Sequence, residues 1–181
     1  VLHEDPSTAV EKATVLKNDY RRLFPEQWAV FGLVNRMLEH RNSFTFQHPV
    51  SGRLRGDVGY CDGCNGFFQG LVADGAKAAC WALAEAAYLG TGHPRAADFR
   101  GSRPVVFVHD EVIAEVPFER AHEAAEAMAA IMRDAMQTHI PDVPITAEPA
   151  LMERWFKAAE TVRGPDGRLV AWAPAPVKEA A

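Results

Sequence analysis

The chain predicts an α+β fold, and three observations carry the prediction. Apolar residues recur at helical spacing between Val10 and Leu38. Two stretches, Ser43 to Arg55 and Val105 to Val116, read as short strands paired across turns. Each is followed by a long helical run, alanine-rich to about Leu89 in one case and reaching about Gln137 in the other. The 181 residues, 48% of them hydrophobic, are enough for one globular domain with a sizeable core. No repeat or linker argues for more, so a single domain over residues 1–181 is expected. No apolar run reaches the roughly 18 residues that would suggest a membrane span, and no signal peptide opens the chain. The start at Val1 rather than Met leads us to expect a processed product or an excised piece.

The elements follow in order. Asp5-Pro6 has the form of a helix entrance, an acidic cap before a proline at the first helical position. Val10, Ala13, Leu16, Tyr20 and Leu23 form its apolar stripe, with Lys12, Lys17, Arg21 and Arg22 on a solvated face. Pro25 opens a second helix with Trp28, Phe31, Val34 and Leu38 buried. Ser43 to Gln47 alternates as a strand, Pro49 to Gly52 turns, and Arg53-Leu54-Arg55 returns with both arginines on one side. Such a pair suits phosphate binding through planar charged donors, and equally suits ordinary surface charge. Gly56 to Gly66, with four glycines and two cysteines, reads as a loop.

The next run carries Lys77 in its middle and stops at Gly90 to Pro94. Asn65 and Gln69, four apart near its start, share a side and can either cap the helix or reach bases and sugars of a nucleic acid. Residues 90–104 read as a polar loop. Pro117 begins a helix whose buried face is Ala121, Ala125, Met128, Met132 and Ala135, with Glu119, Glu123 and Glu126 in its first half, where the helix dipole favours acids. Val143, Ile145 and Ala147 alternate as a third strand, placed at an edge or a strand start by Pro144. Trp155 and Phe156 pack a last helical turn, Gly164 to Gly167 is a turn, an apolar run reaches Trp172, and the tail frays.

The stretch around which the rest is organised is Val105 to Val116. His109-Asp110-Glu111 lies between β-branched runs, which puts a polar tip near solvent, since burying unpaired carboxylates is costly. Adjacent carboxylates at such a tip can hold magnesium, a hard cation that takes a few carboxylate oxygens with waters and phosphates. An ordinary hairpin turn has the same composition. Cys61 and Cys64 have CxxC spacing, but no second ligand pair follows to complete a four-ligand zinc site, so plain thiols in a reducing compartment are expected. Net charge of -5 speaks against a generic nucleic-acid binder. Residues 1–60 carry a net +1 and the remainder -6, so phosphate contacts are expected from the first third.

Several of these residues resemble family A DNA polymerases, the DNA polymerase I type. Asn65, Gln69-Gly70, Ala73-Asp74 and Lys77 are similar to that family's Asn…Gln-Gly…Ala-Asp…Lys segment, and Val108-His109-Asp110-Glu111 to its third polymerase motif. Gly52-Arg53-Leu54-Arg55 resembles the Gly-Arg-rich hairpin that precedes them; Val143-Pro144, Glu148 and Trp155 resemble the C-terminal strand and closing tryptophan. The matches run in order over residues 20–157, and the extension 158–181 falls outside them. The resemblance implies a palm subdomain, a small antiparallel sheet packed on helices. It also implies a DNA-directed DNA polymerase of a bacterial or phage-infected cytoplasm, acting on a DNA primer-template and dNTPs. Asp110 would ligate the two Mg2+ ions of nucleotidyl transfer and Glu111 would be a supporting catalytic carboxylate. His109 would sit near the primer terminus, Asn65 and Gln69 near the terminal base pair, and Arg53 at a phosphate.

The departures matter as much. The family's first motif, which supplies a metal-binding Asp on another strand, is missing, as are the fingers helix and any exonuclease domain. Two metals about 4 Å apart need that second carboxylate. Phe107 stands where the family has Gln, and Cys61 where an Arg is common. A fragment of a longer enzyme, one subunit of a split polymerase whose partner chain carries the rest, or a non-catalytic DNA-binding or interaction module derived from a palm all fit. A metal-dependent phosphohydrolase using His109-Asp110 would need further His and Asp ligands on helices, and none is evident.

Overall fold

Residues 6–174 are described in the computed structural model, so Asp5 of the expected first cap and the tail beyond Pro174 lie outside the described residues. The chain divides into two compact units, Val1–Gly70 and Leu71–Ala181, with the boundary inside one long helix. The fold class is α+β, as expected, with the strands distributed over three small sheets. Among the described residues no helix is long and apolar enough to cross a membrane.

In the first unit, α1 (Pro6–Leu23) and α2 (Pro25–Met37) follow their prolines as predicted. The stripe expected on α1 is not buried: Val10, Leu16 and Leu23 are exposed. On α2 Val34 is fully buried, Trp28 meets Phe31 edge-on, and the Arg21 guanidinium lies 4.0 Å from the centre of the Trp28 ring. β1 (Phe44–Gln47) pairs antiparallel with β2 (Leu54–Val58) in the register Phe46↔Arg55 and Gln47↔Leu54. Its alternation puts Phe44 and Phe46 inside and Thr45 and Gln47 outside, and His48 continues the inward set.

The segment read as a loop from Gly56 to Gly66 is instead the end of β2 and the start of α3 (Tyr60–Leu89). The glycines are not breakers here. Gly63, Gly66 and Gly70 fall on one helix face, and the hairpin packs directly onto it. A Cβ at Gly63 would lie 2.9 Å from Phe44 Cζ and from Val34 Cγ1, and one at Gly66 would lie 2.8 Å from Arg55 Nη1. Each glycine costs about 1 kcal/mol of helix propensity relative to alanine. The close approach of the hairpin offsets that cost.

The second unit contains the rest of α3, α4 (Ala96–Phe99), β3 (Arg103–Val108), β4 (Glu111–Glu115), a 3-10 turn (Phe118–Arg120), α5 (Ala121–Gln137), β5 (Leu151–Met152), β6 (Val162–Arg163) and β7 (Leu169–Trp172). Leu83, Ala86 and Ala87 of α3, Ala96 and Phe99 of α4, and Ala124, Ala127 and Ile131 of α5 form its core, and Val112, Ala114 and Val116 pack against them. Gly90, at φ +69°, ends α3 as the sequence predicts. The expected polar loop 90–104 holds α4, whose fully buried Phe99 gives the segment an apolar anchor. On α5 Ala125 of the expected stripe is buried and Met128 and Met132 pack against the core, while the most deeply buried residues, Ala124, Ala127 and Ile131, lie one position before that stripe.

The third strand expected at Val143 to Ala147 does not form. The Gln137 amide takes the backbone groups that a neighbouring strand would have satisfied: Nε2 donates to the carbonyls of Ile140 and Val143 (3.0 Å for the latter), and Oε1 accepts from Ile145 N–H at 3.2 Å. β5 pairs parallel with β7, and β6 pairs antiparallel with β7 across the Gly164–Gly167 turn. The helical turn expected at Trp155 and Phe156 does not form: both are exposed and non-helical, and Phe156 stacks on Trp172 of β7.

Candidate functional site

β3 and β4 are antiparallel, and the pair Val108↔Glu111 closes a two-residue turn made of His109 and Asp110. His109 has φ 56°, in the left-handed range, and Asp110 does not share the positive sign. Histidine is among the residues enriched in this region, at a local cost of roughly 1–2 kcal/mol. The hairpin is anchored from below by Val112 and Ala114 on the core. Its tip is wet: His109 and Asp110 are exposed, and neither side chain has a hydrogen-bond or ion-pair partner among the described residues.

Glu111 differs. It is half-buried, and its Oε1 accepts a hydrogen bond from Trp155 Nε1 at 3.2 Å. The three polar residues of the tip are therefore not equivalent, one carboxylate being held and the other open. Val105, Val106, Phe107 and Val108 are exposed on both faces of β3, and its outer edge pairs with no other strand among the described residues. Such an apolar edge is a template for strand addition.

The other sequence-predicted residues belong to the first unit. Asn65 and Gln69 are both exposed on α3, one turn apart. Arg53 and Arg55 do lie on one side of the hairpin, and both turn toward the glycine face of α3: Arg53 Nη2 donates to the Gly70 carbonyl at 3.3 Å, and Arg55 sits over Gly66. Cys61 and Cys64 are free thiols in the first turns of α3. Burial raises the Tyr60 phenol above its ordinary value, and a hydrogen bond with the Cys64 thiol adds to this. Of the remaining family-like positions, Asp74 is buried and Lys77 exposed.

Two further residues bear on the tip that sequence reasoning did not connect to it. Trp155 contacts Glu111 from 44 positions away, and Phe156 lies flat on Trp172, ring centres 5.1 Å apart and planes within 7°. No periodicity or spacing in the chain announces either contact. Among the described residues no three His, Cys, Asp or Glu side chains gather closely enough to hold a metal ion. Comparison with family models, curated proteins and solved structures returns no match to this chain.

Proposed function

We propose that this chain is the C-terminal palm portion of a family A-type DNA-directed DNA polymerase, with Asp110 giving one carboxylate to a magnesium-dependent nucleotidyl-transfer site. The observation that carries the reading is the open Asp110 carboxylate at an anchored hairpin tip, beside a Glu111 already oriented by Trp155. An exposed, otherwise unengaged carboxylate is a suitable donor for a hard cation that keeps waters and phosphates in its shell. One such carboxylate is not a complete donor set, and two-metal transfer needs a second from another strand. The uncovered edge of β3 suits the addition of that strand from polypeptide outside this chain. Magnesium, when bound, would lower the pKa of the primer 3′ hydroxyl and stabilise charge on the transferring phosphate.

The chain's own residues supply position and recognition. His109 sets the turn that presents Asp110. Glu111 keeps a fixed carboxylate beside it. The exposed amides of Asn65 and Gln69 suit contacts to sugars and base edges of a primer-template duplex, and Arg53 brings charge for a phosphate. The test is primer extension by this chain combined with the polypeptide that bears the first-motif carboxylate and the fingers helix. Expected is magnesium-dependent addition of the template-matched dNTP only. DNA binding without extension would replace this reading by a non-catalytic module, and template-free release of phosphate from a nucleotide would replace it by a hydrolase.

A further inference from the structure

We infer that the β6–β7 hairpin, Val162 to Trp172, is a clasp that positions Glu111 at the candidate site, with Trp172 as its positioning residue. The path consists of contacts within the second unit. β5 has only two residues, too few to hold itself in place. It is held by parallel pairing with β7, Leu151↔Ala171 and Met152↔Trp172. β7 is in turn fixed to α5. Leu169 is buried, its N–H donates to His122 Nδ1 at 2.9 Å, and Arg168 and Arg163 form ion pairs with Glu123 and Glu126 at 2.5 and 2.7 Å. From this fixed strand Trp172 stacks on Phe156, and the next residue back, Trp155, donates its indole N–H to Glu111.

The consequence is directional. Trp155 is more than half exposed, so the placement of its indole over Glu111 depends strongly on the backbone that carries it. That backbone is tied to β7 by the Phe156–Trp172 stack and to β5, itself paired with β7, by the Phe156 N–H donating to Met152 Sδ at 3.2 Å. With Oε1 taken by the indole, Oε2 of Glu111 has no protein partner among the described residues and is the oxygen left for the site's chemistry. The hairpin lies wholly within the stretch from Ala158 onward, outside the polymerase-like segment, and gives that stretch a role. What Glu111 is positioned for rests on the function proposed above; the positioning itself does not.

The test is nuclear magnetic resonance of the 15N-labelled chain, with the Trp155 indole N–H assigned through Trp155→Phe. In Trp172→Ala, hydrogen exchange at that N–H is expected to quicken by a factor of about two to ten, the range expected for losing an aromatic pair. Its resonance should also move toward its position in Glu111→Gln. Trp172→Phe, which keeps a stacking ring, should restore both. Phe156→Leu removes the stack from the other side while leaving β7 intact, and serves if Trp172→Ala does not fold. An unchanged Trp155 N–H in the folded variant overturns the inference. Because this readout needs neither DNA nor magnesium, loss of the polymerase reading would leave it standing. An active polymerase with an unresponsive indole would remove the clasp alone.

Discussion

Gly70 and Gly75 sit five residues apart on the same helix, and replacing each with alanine should have opposite effects on stability. A Cβ at Gly70 would lie 2.3 Å from both Cε1 and Nε2 of His48 and 3.2 Å from Arg53 Nη2. Carbon atoms prefer separations of about 3.5–4.0 Å, so the ring must move by more than an ångström. It has little room, because His48 is 1% exposed and meets Phe46 edge-on with ring centres 5.0 Å apart. Overpacking of this kind costs about 1–3 kcal/mol and can exceed it, whereas the gain in helix propensity is about 1 kcal/mol. Gly70→Ala should therefore be destabilising by up to about 2 kcal/mol, or more if the ring cannot yield. At Gly75 a Cβ would meet His139 Cβ at 3.6 Å and Met136 Cα at 3.7 Å, which is ordinary contact. Gly75→Ala should keep the propensity gain, a stabilisation of about 0.5–1 kcal/mol. Urea denaturation of the whole chain followed by circular dichroism measures both. His48→Ala should relieve the Gly70→Ala penalty, with a coupling of about 1 kcal/mol or more in the double-mutant cycle. Equal effects at the two glycines, or no coupling to His48, would refute the claim that the hairpin is seated on a glycine face.

His109→Gly removes a non-glycine residue from a positive-φ position, so it should leave the fold intact or stabilise it by up to roughly 1 kcal/mol, read from the same denaturation curves. Donors from Arg133 and, next, His93 hold the Asp134 carboxyl below its ordinary value. That contribution to stability is present above the unfolded carboxyl's titration near 3.8 and disappears as the pH falls through the lower folded value. Asp134→Asn should thus weaken the chain at neutral pH and match the parent at the acid end of a stability-versus-pH series. The group is half exposed, and screening limits the gap to under about 1 kcal/mol. Gln137→Leu strips the partners from Ile145 N–H and the Val143 carbonyl, so amide exchange at Ile145 should accelerate while α5 keeps its protection.

Most of the element plan was legible because local signals agreed with tertiary packing. The prolines at 6 and 25 start helices, Gly90 ends one, and an apolar–polar–apolar pattern marks the β3–β4 turn. Reading failed where packing reversed the meaning of a residue type. Gly56 to Gly66 looked like a loop because glycine is a poor helix former, yet at Gly63 and Gly66 it is the absence of a Cβ that admits Phe44 and Arg55, as it admits His48 at Gly70. Alternation at Val143 to Ala147 looked like a strand, but the Gln137 amide, not a neighbouring strand, bonds the Val143 carbonyl and the Ile145 N–H. At the candidate site the tip residues were readable from composition. The hydrogen bond that distinguishes Glu111 from Asp110 was not, because it joins residues 44 apart with no shared pattern.

The central claim is that Asp110 holds the metal at the transfer site. The most direct measurement is the rate of single-nucleotide addition to a primer by the reconstituted protein and by Asp110→Asn, a variant that should fold as the parent does because the side chain is exposed and bonded to no other side chain among the described residues. The account predicts template-matched addition by the parent and a loss of at least about a hundredfold in the variant, the scale of removing one principal electrostatic contact to a reacting group. Addition by Asp110→Asn within about twofold of the parent, a difference of under about 0.5 kcal/mol in the barrier, would contradict it.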